Sequence, residues 1–214
     1  MGPVTEQGSD GRLMARGGGF DTRYLEWGTT GTPIVLVPGA VETADTFDAL
    51  GRVLGENHRV FAIDLTGTGY STPSPPYSTS HLADQLLAFM RVKGLTGADA
   101  PLLVGHSMGA AVAGLAAVEA GPDGVRGVVF LNGDALPLNG SPRLLGYLFV
   151  DPYRASLLRL ALSQSWLIKR LYNSNCGPLC PPLDAAGVQA WREPLQQPGF
   201  ADFVSYQLKH GIPR

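Results

Sequence analysis

The chain has 214 residues, of which 44% are hydrophobic and 16% charged. That length and apolar content suit one globular domain with a sizeable core and argue against disorder. A net charge of -2 leaves no basic footprint, so neither a nucleic acid nor an anionic membrane surface is an expected partner.

The opening Met1-Gly2-Pro3-Val4-Thr5-Glu6 lacks the basic-then-apolar order of a secretion signal, and no apolar run is long enough to cross a bilayer. A cytoplasmic location is therefore the expectation, and Glu6 stands where a myristoylation signal wants Ser or Thr. Cys176 and Cys180 are too few for a disulfide scaffold and are not spaced as a zinc pair. They read as packing thiols or as a local disulfide. No metal or organic cofactor is implied.

Residues 1–21 are Gly-rich and polar without periodicity and read as a mobile leader. Residues 22–27 alternate as an edge strand does, and Thr29-Thr30-Gly31-Thr32-Pro33 breaks the chain before Ile34-Val35-Leu36-Val37. An unbroken aliphatic run of that kind suits a parallel strand covered on both faces. Pro38-Gly39-Ala40-Val41 then leads to an expected helix over 43–54 with Thr43 as N-cap.

Residues 59–64 give a third strand that runs into Leu65-Thr66-Gly67-Thr68-Gly69-Tyr70-Ser71. A dinucleotide fingerprint would need a third glycine opening a helix, but a proline-rich loop follows, so this turn is not read as a phosphate cradle. Asp64 reads as a strand-end carboxylate that ties the loop down. Ser80 is the expected cap of the next helix, where Leu82, Leu86, Phe89 and Met90 share one face and form core.

A strand over 101–104 follows, then Gly105-His106-Ser107-Met108-Gly109 and an Ala-rich helix that stops at Gly121-Pro122. The five residues match G-x-S-x-G, the pattern of a nucleophile elbow, in which a serine sits on a strained strand-to-helix turn whose neighbours must lack bulk. The same pattern can also be an ordinary Gly/Ser turn. Residues 125–131 supply a further buried strand, ending in Asn132-Gly133-Asp134. Strands alternating with helices at these lengths predict βαβ units, hence an α/β fold with a mostly parallel sheet and helices on both faces.

Pro38-Gly39-Ala40, the Asp64 to Ser71 turn and Gly105 to Gly109, in that order and at those intervals, resemble the α/β-hydrolase superfamily with a serine nucleophile. The resemblance covers roughly residues 22–137, with Pro38 and Thr68 standing where members commonly carry His. Residues 138–214 resemble the helical cap that many such hydrolases insert over the elbow, rich here in Leu, Trp, Phe and Tyr. It implies Ser107 as nucleophile, with the backbone N–H groups of Ala40 and Met108 facing the developing oxyanion. Serine at this position disfavours dehalogenase and epoxide hydrolase chemistry, which in this superfamily uses Asp there.

In this superfamily the acid and then the His follow Ser along the chain, on strand ends beyond the cap, whereas Arg214 falls within the cap region. Neither partner is therefore expected at its usual place in this chain. Among the four histidines, His106 neighbours the nucleophile and should point away from it, His58 lies at the opposite end of the sheet, His81 opens a peripheral helix, and His210 would need an unusual cap. Asp134 is a candidate triad acid or a loop-turn aspartate. The expectation is a serine hydrolase acting on an ester or related acyl bond of a small apolar substrate. The His and the acid would come from a further C-terminal segment or a complementing chain. The alternative is a non-catalytic relative that binds a small ligand or a protein and keeps the elbow as a structural turn.

Overall fold

The computed structural model describes residues 4–7, 11–133, 153–175 and 181–210. Seven strands form one sheet: β1 (Val4–Gln7), β2 (Leu13–Gly17), β3 (Phe20–Trp27), β4 (Pro33–Val37), β5 (Arg59–Ile63), β6 (Leu102–His106) and β7 (Gly127–Leu131), in the order β1-β2-β3-β5-β4-β6-β7. The β5-β4-β6-β7 half is parallel, and β1, β2 and β3 extend it antiparallel. Helices α1 (Asp48–Leu54), α2 (Thr79–Val92) and α3 (Met108–Ala120) connect the parallel strands. Among the described residues four more follow: α4 (Arg154–Leu162), α5 (Ser165–Asn175), α6 (Ala185–Leu195) and α7 (Phe200–His210).

The period-two pleat sorts the aliphatic runs to opposite faces. Ile34, Leu36, Val60 and Ala62 pack one side with Phe47, while Val35, Val37, Phe61 and Ile63 pack the other with Leu86, Phe89 and Val112. Every residue of β4 is buried, as a strand covered on both faces requires. Phe61 and Phe89 meet edge to face at 5.7 Å; truncating so fully buried an aromatic costs about 3–5 kcal/mol. The two helices on this face differ in sequence for a physical reason. α2 buries the expected stripe of Leu82, Leu86, Phe89 and Met90, whereas α3 carries alanine on most sides and packs closely against both the sheet and the neighbouring α2.

Several local expectations are corrected. The described part of the segment read as a mobile leader instead pairs as strands, Val4 opposite Arg16 and Leu13 opposite Tyr24; its Gly-rich stretch supplies tight turns. The 22–27 strand is interior to the sheet. The 43–54 helix begins as a 3-10 turn over Ala44–Phe47, and Thr43 makes no side-chain cap bond. Ser78, not Ser80, caps α2 by accepting the His81 N–H. β7 is not fully buried: among the described residues it pairs only with β6, and Val129 and Phe130 are exposed.

The later helices hold a small core of their own, built from Leu162, Ile168, Val188, Leu195 and Phe200. α7 joins it to the main core by setting Phe203 edge to face against Tyr77 at 5.6 Å. α6 starts at Ala185, where Asp184 caps it by accepting the Gly187 N–H at 2.7 Å. Cys176 and Cys180 lie outside the described residues. Among the described residues, no helix is long and apolar enough to cross a membrane.

Candidate active site

β4 and β6 are parallel neighbours paired as far as Val37 opposite Gly105. The residues that follow them, Pro38 to Ala40 and His106 to Met108, therefore leave the sheet side by side at its carboxyl end. Open α/β sheets bind ligands at that end, where the strands turn into loops.

Ser107 is the residue between β6 and α3. Its φ of 51° and ψ of -120° form a combination that an L-residue adopts only when its surroundings enforce it, at a cost of order 1–3 kcal/mol. The enforcement is visible on both sides. A β-carbon on Gly105 would overlap the Gly109 and Ala110 backbone, and one on Gly109 would overlap the Val37 and Pro38 carbonyls. Ser107 N–H donates to the Leu131 carbonyl at 3.0 Å, and Ala110 N–H donates back to the Ser107 carbonyl at 2.9 Å.

Met108 is the first residue of α3, so its amide is one of the helix's orphan donors. Ala40 lies in the loop after β4, where no hydrogen bond from its amide is present among the described residues. A β-carbon built on its neighbour Gly39 would stand 3.3 Å from Ser107 Cβ, which places this loop against the serine. Ser107, Ala40 and Met108 thus belong to one corner of the fold. Asp134 lies outside the described residues.

The back of the corner is a charged network. Asp64 is completely buried and accepts the Ala44 N–H at 2.7 Å and the Tyr70 N–H at 2.8 Å. Arg23 forms a two-pronged contact with Asp45 at 2.7 and 2.9 Å and reaches Asp64 at 3.4 Å. Burial pushes the Asp64 carboxyl upward, against the pull of Arg23 and the two amides. Burial also works to raise the Asp45 carboxyl, but the Arg23 contact outweighs it and holds that group below its ordinary value. Asp64 therefore ties down two loops, as a strand-end carboxylate, through Ala44 and Tyr70.

The front is closed by Glu42 and His106. Glu42 Oε2 lies 2.7 Å from His106 Nδ1 and accepts the Gly39 N–H at 2.8 Å. The hydrogen bond to Glu42 raises the His106 pKa above its ordinary value, and partial burial opposes the rise. No motif points to this pair, since Glu42 lies outside the recognised turns; only the fold brings it to the residue beside the serine. The other histidines are placed elsewhere. His58 immediately precedes β5, His81 Nε2 lies 3.3 Å from Ser74 Oγ, and the His210 ring lies 4.3 Å from that of Tyr206. No hydrogen bond to the Ser107 hydroxyl is present among the described residues.

A cavity of about 190 Å³ adjoins the corner, between the loop at Val41 and Glu42 and the Trp191, Pro194 and Leu195 face of α6. It is large enough for a compact organic group and mostly apolar in its walls. Among the described residues no cluster of His, Cys, Asp and Glu could hold a metal ion.

Comparison with known proteins identifies the family of this fold. The chain is 35% identical over 106 residues to N-formylmaleamate deformylase of Pseudomonas putida, a stretch that is 49% of this chain and 38% of that protein. A serine hydrolase-like protein of Dictyostelium discoideum is 29% identical over 106 residues, covering 48% of this chain and 30% of that one. The aligned stretches thus span well under half of these curated relatives. Among solved structures, the N-formylmaleamic acid deformylase of Pseudomonas putida S16 superposes with a TM-score of 0.65 at 20% identity, covering 99% of this chain and 75% of that one. The enol-lactonase of Burkholderia xenovorans LB400 gives 0.68 at 18% identity, covering 94% and 74%. The family model described as alpha/beta hydrolase fold matches residues 32–167, more than half of the chain. With the strained elbow, the adjoining β4 loop and the parallel strand order, that match establishes that the chain belongs to the α/β-hydrolase family.

Proposed function

We propose that Ser107 is the nucleophile of a hydrolase that cleaves an ester or a related acyl bond, amides included, of a small and largely apolar substrate. The observation that carries this reading is the Ser107 backbone: a φ of 51° kept between two glycines that neighbouring backbone leaves no room to replace. Strain of this kind persists where it serves a purpose. On this reading it presents the hydroxyl at the carboxyl end of the sheet, in the same corner as the Met108 amide and as the Ala40 amide, which makes no hydrogen bond among the described residues.

The chemistry follows from that placement. Ser107 Oγ attacks the substrate carbonyl carbon while a histidine takes the hydroxyl proton, and the carbonyl π electrons move onto oxygen. The Ala40 and Met108 N–H groups stabilise the resulting oxyanion, an arrangement worth about 3–4 kcal/mol per donor in comparable sites. Collapse expels the alcohol or amine, which takes the proton from the histidine, and leaves an acyl group on Ser107. Water then repeats the sequence, releasing the acid and the free serine. The histidine and its acid are assigned to residues beyond those described, in a further segment of the protein or a complementing chain; Asp134 remains the candidate acid from this chain.

The cavity beside α6 supports a compact apolar group on the substrate, in the manner of a cap over the elbow. The named activity of the Pseudomonas putida relative, a deformylase, supports acyl–nitrogen as well as acyl–oxygen bonds. One observation favours a second reading: no described histidine reaches Ser107, as in a non-catalytic relative that binds a small ligand or a protein. A fluorophosphonate probe separates the two, since it reacts only with an activated serine. Labelling that is lost in Ser107→Ala supports the hydrolase, and an unlabelled protein that holds an apolar ligand tightly supports the binding module.

A further inference from the structure

We propose that Glu42 is a positioning residue for the oxyanion donors: its carboxylate fastens the loop that carries Ala40 to the elbow that carries Met108, and so sets the spacing between the two amides. The inference rests on the reading of Ser107 as a nucleophile. The two donors sit on separate segments, after β4 and after β6, and the ladder that joins those strands ends at Val37 opposite Gly105. Beyond that pair no backbone hydrogen bond links the segments among the described residues. The next hydrogen-bonded link is Glu42.

A single oxygen makes it. Glu42 Oε2 receives the Gly39 N–H at 2.8 Å and stands 2.7 Å from His106 Nδ1. Hydrogen bonds to an ionised acceptor are shorter and stronger than neutral ones. Both residues adjoin the machinery directly: Gly39 precedes Ala40, and His106 precedes Ser107. Holding the Gly39 amide toward the carboxylate leaves Ala40 as the first donor of the loop with no hydrogen bond among the described residues. The loop has little freedom to settle elsewhere, since a β-carbon on Gly39 would already lie 3.0 Å from Glu42 Oε2 and 3.3 Å from Ser107 Cβ. A negative charge so near an oxyanion would oppose catalysis if it stood alone; the His106 ring, drawn toward its protonated form by that same carboxylate, offsets it.

The test uses the whole protein with its complete set of segments, labelled with ¹⁵N. It compares wild type, Glu42→Ala, Glu42→Gln and Glu42→Asp by the rate of fluorophosphonate attachment to Ser107 and by the amide resonance of Gly39. Gln keeps the length and an acceptor oxygen, whereas Asp keeps the charge but is one methylene too short to reach both partners. The proposal predicts labelling about tenfold to a hundredfold slower in Glu42→Ala, a similar loss in Glu42→Asp, and recovery of most of the rate in Glu42→Gln. The Gly39 resonance should move in the Ala and Asp variants. If Glu42→Ala fails to fold, the Gln and Asp pair carries the same comparison. Wild-type labelling rates in Glu42→Ala or Glu42→Asp, or a Gly39 amide that does not respond, would overturn the positioning role while leaving the nucleophile in place. A wild-type protein that is never labelled, with a Gly39 amide that still responds, overturns the nucleophile reading and this role with it.

Discussion

The Tyr70 hydroxyl donates to Glu193 Oε1 at 2.9 Å across 123 residues of chain, joining the loop after β5 to α6. Arg12, from the segment before β2, lies over the same tyrosine ring at 3.7 Å and reaches Glu193 at 3.7 Å. Burial, and after it the bond to Glu193, push the Tyr70 phenol up to about 12, so the group remains a donor at any physiological pH. Tyr70→Phe removes the hydrogen bond and keeps the ring. An exposed contact of this kind is worth about 1 kcal/mol or less, too little to unfold the domain. The expected outcome is faster amide exchange and proteolysis in α6 with little change in the sheet; unchanged α6 protection would show that the latch does not hold the helix.

Asp64 gives the larger stability effect. It is fully buried, accepts two amides and faces Arg23. Asp64→Ala would strand the Ala44 and Tyr70 N–H groups and leave Arg23 with Asp45 alone, a loss of roughly 3–5 kcal/mol. Asp64→Asn keeps one acceptor and should lose less. Urea unfolding checks the order wild type, Asn, Ala; equal stability of Asn and Ala would mean that the carboxylate's two accepted bonds contribute nothing.

His106 makes stability depend on pH. Its folded-state pKa lies above the unfolded value because of Glu42, so the folded state holds the proton more tightly. That contribution is fully present below about 6.5, the unfolded reference, and is lost as pH rises through the higher folded value. The gap in thermal midpoint between wild type and His106→Asn should therefore be widest near pH 5.5 and should narrow toward pH 9. A gap that is constant or widens with pH would contradict the pairing.

Much of this fold could be read from the chain because its elements are locally consistent. Ile34 to Val37 can only be a covered strand, and Leu82, Leu86, Phe89 and Met90 can only share one helical face. The turn at Gly105 to Gly109 was legible for the same reason, since the space around a strained serine dictates both glycines. Three features were not legible. The strands before Phe20 escaped because β2 carries no clear alternation and the Gly18-Gly19 pair, which turns the β2–β3 hairpin with both glycines at positive φ, reads equally well as a flexible stretch. The contrast between Ser78 and Ser80 turns on one backbone angle. The Glu42 to His106 contact depends on the parallel register of β4 against β6, which brings together residues 64 positions apart and leaves no periodic trace in either segment.

The central claim is that Ser107 is an activated nucleophile, and the most direct measurement is the intact mass of the complete protein after exposure to a fluorophosphonate. The account predicts one probe adduct per chain, mapped to Ser107 and absent from Ser107→Ala. A complete, folded protein that gains no adduct, or one that gains it equally in Ser107→Ala, would contradict it.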